Sequence, residues 1–521
     1  MLRIRFFSCF FYELFSSFRS GSSLVLPAST HPVALPAYAL ALALTACGEQ
    51  PAATPPATSA YAPIRMAVAQ APVNLDPRVA TDAASERVNR LLYRPLVDFD
   101  AQSRPVPALA SWERLDATHY RFTLVPNTTG TLRAFHNGQP LTAHDVVATY
   151  RSLMGMAASP RSAEFANIQR VDAVDDDTVL FQLKQPDADF PARLVVGILP
   201  AALIQAGHDF ARAPVGSGPL RFVSWQGALT LERLADQQRI QISEVKDPTV
   251  RVLKLLRSEV DLLQGDLPPE LLRYLQGRPG IQVQSAPGAN FSYLGFNFND
   301  PVLQDLRVRQ AIAHGVDVAA IVRQALVPGS RVAGAVLPPE HWAGNAGLAA
   351  YAYDPARALA LLREAGVPLP LKLVYKTSTD AQRVRLATIL QAQLKPAGIA
   401  LEIRSLDWGT FFEDIKQGQF QLYGLTWVGL RTPEIYRLAF HAGSVPPRGA
   451  NRGRYADPVL DGMIAAADWP AVTQRVHAQL PYLPLWYEGQ FAAMRVDMQA
   501  YQLRPDGNWD GLVSLRRSVE P

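Results

Sequence analysis

A chain of 521 residues is too long for one compact domain and long enough for two or three lobes. Hydrophobic residues make up 48% and charged residues 18%, the range of a soluble globular protein. Lys+Arg 50 against Asp+Glu 46 leaves a net charge of +4, which gives no argument for nucleic acid, whose recognition needs a clustered basic surface.

The first segment with a clear reading is LPAYALALALTA, Leu35 to Ala46. It suits a signal-peptide core and is too short to span a bilayer as a helix. It ends Leu44-Thr45-Ala46-Cys47-Gly48, which resembles the lipobox of bacterial lipoproteins, where the cysteine is lipidated and becomes the new N-terminus. EQPAATPPATSAYAP follows, too poor in apolar surface to fold, and reads as a tether. Residues 1–46 are therefore expected to be a signal peptide and 47–60 a lipidated Cys47 with its tether. The 46 residues before Cys47 exceed the roughly 15–30 of a signal peptide, which points to an over-extended start. Cleavage removes Cys9 and leaves Cys47 as the one cysteine, so no internal disulfide is expected.

Beyond the tether, IRMAVAQAPVNLDP (Ile64–Pro77) reads as a strand and turn, with Tyr93–Asp100 and His119–Pro126 as further strands. LTAHDVVATYRSLM (Leu141–Met154) reads as a helix with Thr142 at its N-cap and Asp145 three residues on. Asp176–Leu183 is a strand. Asp247-Pro248 opens a helix to Leu256, and Phe291–Phe298 is a strand. VRQAIAHGVDVAAIVRQAL is helical; a further helix is capped by Asp354-Pro355 and stopped by Gly366. Leu371–Thr377, a helix from Asp380, and Ile399–Leu406 complete an alternation that predicts α/β sheets, mixed or parallel.

Six landmarks then stand in an order that resembles the family 5 extracellular solute-binding proteins, the dipeptide, oligopeptide and nickel receptors of bacterial ABC importers. They are LYRPLVDFD at 92–100, FHNGQPLTAHDVVATYRSL at 135–153, GSGPLRFVSW at 216–225, VRVLKLLRSEVDLL at 250–263, NFSYLGFNFNDPVLQDLRVRQAIAHGVD at 290–317 and LPYLPLWYE at 480–488. The resemblance implies a two-lobed type II periplasmic-binding fold with an extra subdomain, closing over its ligand by hinge motion. Carried onto this chain, lobe I combines 61–90, 205–287 and 479–521, the inserted subdomain is 91–204, and lobe II is 288–478. It further implies a lipid-anchored, monomeric envelope protein of the periplasm. Its partners are a small peptide or peptide-like solute and an ABC permease with its ATPase; no enzyme activity, cofactor or metal is implied.

In the family, the region around Trp427 faces the cleft, and an Asp soon after the Trp pairs with a peptide's α-amino group. Here the stretch reads Trp427-Val428-Gly429-Leu430-Arg431-Thr432-Pro433, with Arg431 about where the acid belongs. A cation cannot stabilise an ammonium at close range. An anionic or N-blocked solute suits Arg431 better, unless its side chain points to solvent. Trp408 and Trp427 are expected as aromatic walls or as lobe packing, and Tyr375 as cleft-facing or core. Asn290 and Ser292 lie on the crossover strand near the hinge. Ser217 sits in a Gly216–Pro219 loop that permits close backbone approach, and Asn74 is a rim candidate. Two further departures are Ser258 where the family has Gly, and a stretch at 465–470 shorter than usual, which is expected to weaken lobe II packing.

No G-x-S-x-G, H-E-x-x-H, P-loop or dinucleotide fingerprint occurs. Asp175-Asp176-Asp177 reads as a solvated turn. His441 is a candidate for the nickel or haem chemistry of some members, against a surface-loop reading. A hydrolase on this fold lacks a nucleophile–base pair, and a sensor feeding a signalling partner is the remaining alternative.

Overall fold

Strand Ile64–Val68 forms where β-branched and apolar residues run together, and it is buried almost throughout. In the computed structural model of the chain, residues 62–80, 82–126, 133–156, 159 and 161–518 are described. The expected signal peptide, tether and lipidation at Cys47 lie outside them.

Two long strands organise the molecule. Ile281–Phe296 and Tyr482–Arg495 pair antiparallel along nearly their whole length. Their register shifts between Ala286 and Asn290, and that irregularity divides one eleven-stranded sheet into two halves. On one side Tyr482–Arg495 pairs with Leu262–Gln264, followed by Ile64–Val68 and Arg239–Glu244 in parallel, then Ala228–Arg233 and Leu220–Gln226. On the other side Ile281–Phe296 pairs with Leu422–Trp427, which leads to the parallel pair Leu371–Ser378 and Ile399–Leu406.

Each half carries its own core. In the first, Ile64, Met66, Leu231, Ile242 and Met494 pack with Leu91 and Trp509, while Leu255, Leu263, Leu272 and Phe491 fill the opposite face. In the second, strand alternation sends Phe291 and Tyr293 to one core and Leu294 and Phe296 to the other. A third core belongs to a separate four-stranded antiparallel sheet, Ala110–Arg114, His119–Leu124, Thr178–Leu183 and Ile168–Ala173. Phe122, Tyr150, Phe181 and Phe190 meet there edge to face beneath the helix Ala143–Gly155. The result is a two-lobed α/β molecule with an added subdomain.

Most elements stand near where the residues placed them; several differ. Tyr93–Asp100 yields a strand only over Val97–Phe99, because Tyr93 caps the helix Ala83–Leu92 with its backbone. VRQAIAHGVDVAAIVRQAL is two helices, Leu306–His314 and Val318–Ala325, the second capped by the Asp317 carboxylate on the Ala320 N–H. The short 465–470 stretch turns through Ala467 in the left-handed region, φ 53°, and Asp468 caps the helix Trp469–Gln479. Trp469, Val472 and Val476 are buried in one core cluster with Tyr436 and Phe440. Asp175 and Asp176 are exposed in a bend, and the neighbouring Asp177 pairs with Arg133.

Candidate ligand cleft

The hinge is built by close backbone approach. A Cβ on Gly288 would lie 1.7 Å from the Glu488 carbonyl oxygen, and one on Gly489 would lie 2.4 Å from that of Pro328. Only glycine fits at either position. Just inside the hinge, Ser292 Oγ is 2.6 Å from Thr426 Oγ1 and donates to Glu488 Oε1 at 2.9 Å. Thr426 also donates to Glu488 at 3.0 Å, and Arg383 reaches the same oxygen at 3.3 Å from the helix Ala381–Leu394. Ser292 is therefore part of a polar knot that ties the crossover strands to lobe II. Asn290 is buried and accepts the Gly429 N–H at 3.4 Å, which orients the loop after Trp427.

In lobe II the parallel strands end at Ser378, Leu406 and Trp427. The helices Ala381–Leu394, Trp408–Gln417 and Glu434–Phe440 begin just beyond them. Crevices outside the carboxyl ends of parallel strands are where open α/β sheets bind ligands. A row of rings runs along this edge. Exposed Trp408 stacks on Phe412 with centroids 5.4 Å apart and planes at 13°. The Arg452 guanidinium lies 5.3 Å from the Phe412 centroid and 4.9 Å from that of Trp427. Trp427 continues to Tyr293 at 6.5 Å, and Tyr293 stacks on Tyr482 at 3.9 Å. The Trp427 indole Nε1 is buried and finds no acceptor among the described residues.

Arg431 extends from the same edge toward the opposite lobe. Its guanidinium is 3.4 Å from Asp506 and 5.4 Å from the Phe99 ring, and both side chains of the ion pair are half-buried. Burial, and then the charge of nearby Arg90, push its pKa down; Asp506, Asp98 and Asp510 act the other way. The solvent-pointing option for Arg431 is thus not the one adopted. Its carbonyl accepts from His341 Nε2 at 3.0 Å, while His341 Nδ1 accepts the Ala343 N–H at 3.0 Å. A cavity of about 60 Å³ is lined by Glu86, Asn89, Arg90, Asp98 and Arg161; the Arg431 charge acts on two of these, Glu86 and Asp98. Both polar atoms of buried Asn89 lack a partner, and burial raises the Glu86 pKa despite Arg161 at 3.2 Å.

The remaining candidates fall elsewhere. Tyr375 is 5% exposed in the lobe II core, where burial pushes its pKa up to about 12. Ser217 is buried with an unpartnered hydroxyl, in a loop whose Gly218 N–H donates to the Leu92 carbonyl at 2.8 Å. Asn74 shapes its own turn, accepting the Asp76 N–H at 2.8 Å. His441 caps a short helical turn by accepting the Gly443 N–H at 3.0 Å. Among the described residues no three His, Cys, Asp or Glu gather in a metal-holding group. The reading of the residues had not picked out Arg452, Asp506, Arg383, Glu488 or Asn89. Only Glu488 lay in a landmark, and nothing local marks the others.

Residues 104–443 match the family model described as bacterial extracellular solute-binding proteins, family 5 middle. The chain belongs to this family. A relative named probable di/tripeptide-binding protein 5, from Pseudomonas aeruginosa, is 28% identical over 81% of this chain and 89% of its own length. One named heme-binding protein A, from Haemophilus influenzae, is 25% identical over 84% and 89%. Among solved structures, the ABC transporter substrate binding protein CtaP from Listeria monocytogenes superposes with a TM-score of 0.78 at 22% identity, covering 88% of this chain and 99% of that one. The last likeness speaks for the fold.

Proposed function

We propose that this family 5 protein is the solute receptor of an ABC importer. It closes its lobes over a small peptide or peptide-like solute and presents it to a membrane permease and its ATPase, without chemistry of its own. The observation that carries the reading is the crevice itself. Two crossover strands hinge at Gly288 and Gly489, and an aromatic edge ending at Trp427 stands beside them. Such a receptor needs a ring-lined wall, a few oriented polar groups and a closure that excludes water. The relative named for di/tripeptides supports a peptide-sized ligand. Our division of the chain places lobe I at 61–90, 205–287 and 479–521, the subdomain at 91–204 and lobe II at 288–478. Cys47 is the proposed lipid anchor to the cell envelope, and the receptor acts as a monomer.

Arg431 favours a second reading, an anionic or N-blocked solute, because the acid that would hold a free amine is absent and Asp506 already faces a cation. The relative named for heme adds a third ligand class.

A thermal-shift panel tests all three, using free-amine di- and tripeptides, their N-acetyl forms and haemin. Stabilisation by a peptide is expected, with affinity lowered about tenfold or more in Trp427→Ala. A response to N-acetyl peptides alone moves the conclusion to the second reading, and one to haemin alone to the third.

A further inference from the structure

Two arginines buried in this fold without a carboxylate, Arg251 and Arg309, are held by backbone carbonyls. Arg309 donates to Leu303, Gln304 and Gln479 carbonyls at 2.7, 2.8 and 2.8 Å. Arg251 donates to Val245 and Lys246 carbonyls at 2.6 and 2.8 Å and to that of Asp266. Arg452 differs. It is half-buried, its faces are covered by Phe412 and Trp427, and its one polar partner is the Tyr293 hydroxyl at 3.2 Å. Among the described residues no carboxylate comes within ion-pair range of it. Arg431, by contrast, already has Asp506.

The neighbourhood is also short of acceptors. The buried Trp427 Nε1–H has no acceptor among the described residues. A guanidinium clamped between two rings has its planar N–H edge fixed in direction, with little freedom left to lose on binding. Its remaining donors match the two oxygens of a carboxylate side by side.

We propose that Arg452 is the carboxylate-recognising residue of the crevice, with the Trp427 indole N–H as a second donor. Resting on the receptor reading above, this narrows the solute to one that carries a carboxylate. The charge specificity expected of Arg431 thereby moves to a residue 21 positions along the chain, and Arg431 serves closure instead.

Two measurements separate this from the peptide reading. The first uses protein labelled with ¹⁵N-tryptophan. The Trp427 indole resonance, assigned by its loss in Trp427→Phe, is followed during titration with sodium acetate, acetamide and sodium chloride. Saturable displacement by acetate alone, abolished in Arg452→Gln, is expected. Arg452→Lys keeps the charge but not the fork and weakens the response about tenfold; it decides the matter if the Gln variant does not fold. An absent acetate response, or one that survives in Arg452→Gln, overturns the proposal. The second is calorimetry with two pairs of peptides. Preference for Ala-Phe over its amide places the C-terminal carboxylate at Arg452, and preference for Ala-Glu-amide over Ala-Gln-amide places a side-chain carboxylate there. Either preference is about tenfold or more and collapses in Arg452→Gln. Equal binding of all four overturns the proposal for peptides. Binding of none, with the acetate response intact, overturns the peptide reading alone.

Discussion

Ser258 holds a backbone φ of 57°, in the left-handed region that penalises any residue with a Cβ. The conformation is kept because the Ser258 carbonyl accepts from Arg65 at 2.7 Å and its hydroxyl meets Arg495. Replacing Ser258 by Gly relieves the backbone and loses only the exposed hydroxyl contact. Urea unfolding is expected to show a gain of about 0.5–1 kcal/mol; an unchanged or lower stability would show that the hydroxyl outweighs the strain. That a glycine belongs at this position was legible from the Ser-Glu-Val-Asp segment. Arg452 was not, because what singles it out is its surroundings. Its hydroxyl partner Tyr293 lies 159 residues away, and no periodicity or motif encodes a missing carboxylate. Tyr375 is open to either a crevice or a core place from its residues alone, because the end of a strand reads the same in both cases.

At the scale of elements, the helix Ala143–Gly155 shows why caps are the most readable feature of this chain. The Asp145 carboxylate accepts the Thr142 N–H at 2.8 Å and the Thr142 hydroxyl at 3.1 Å, and its other oxygen accepts the Ala201 N–H at 2.8 Å. One side chain therefore starts a helix and pins the next. Asp145→Ala is expected to lower unfolding stability by about 2 kcal/mol, since buried N–H groups lose a charged acceptor. A circular-dichroism melt that moved by less than Thr142→Ala would refute the shared role. Asp247 and Asp354 were equally legible, because an N-cap acts on N–H groups two or three residues away. The strand Ile281–Phe296 was read only from Phe291 onward. Pro287 and Gly288 look like a stop, yet Tyr482–Arg495 supplies hydrogen bonds on both sides of the bulge and carries the strand through.

At the scale of the whole molecule, side chains and backbone join segments far apart in the chain. Arg431 meets Asp506, Arg385 meets Glu270 at 3.2 Å, Arg193 meets Glu434 at 3.7 Å, and the Trp342 N–H donates to the Gln102 carbonyl at 3.0 Å. None of these pairings is local, so none was legible, although the chain-wide order of landmarks was enough for the two-lobed fold. Arg431→Leu is expected to enlarge the radius of gyration in solution scattering by favouring the open form. Acid should act on the same loop. Burial holds the His341 pKa below its usual 6.5, against the Arg431 carbonyl that accepts from Nε2; Nδ1 accepts the Ala343 N–H. The unfolded or released ring takes up a proton first, so the contribution is complete above pH 6.5 and is lost as pH falls through the depressed folded-state value. His341→Gln should remove that part of the pH dependence of closure, and a pH profile identical to wild type would refute it. The central position of Tyr482–Arg495 has a consequence for how the molecule is made. This strand lies between Ile281–Phe296 and Leu262–Gln264, so the two halves of the large sheet are not joined until the last strand of that sheet has been synthesised. A nascent chain lacking it offers two unpaired edges, at Ile281–Phe296 and Leu262–Gln264, while the separate four-stranded sheet already has its own core. The strand order that builds the crossover therefore also makes the union of the two half-sheets one of the last events of synthesis.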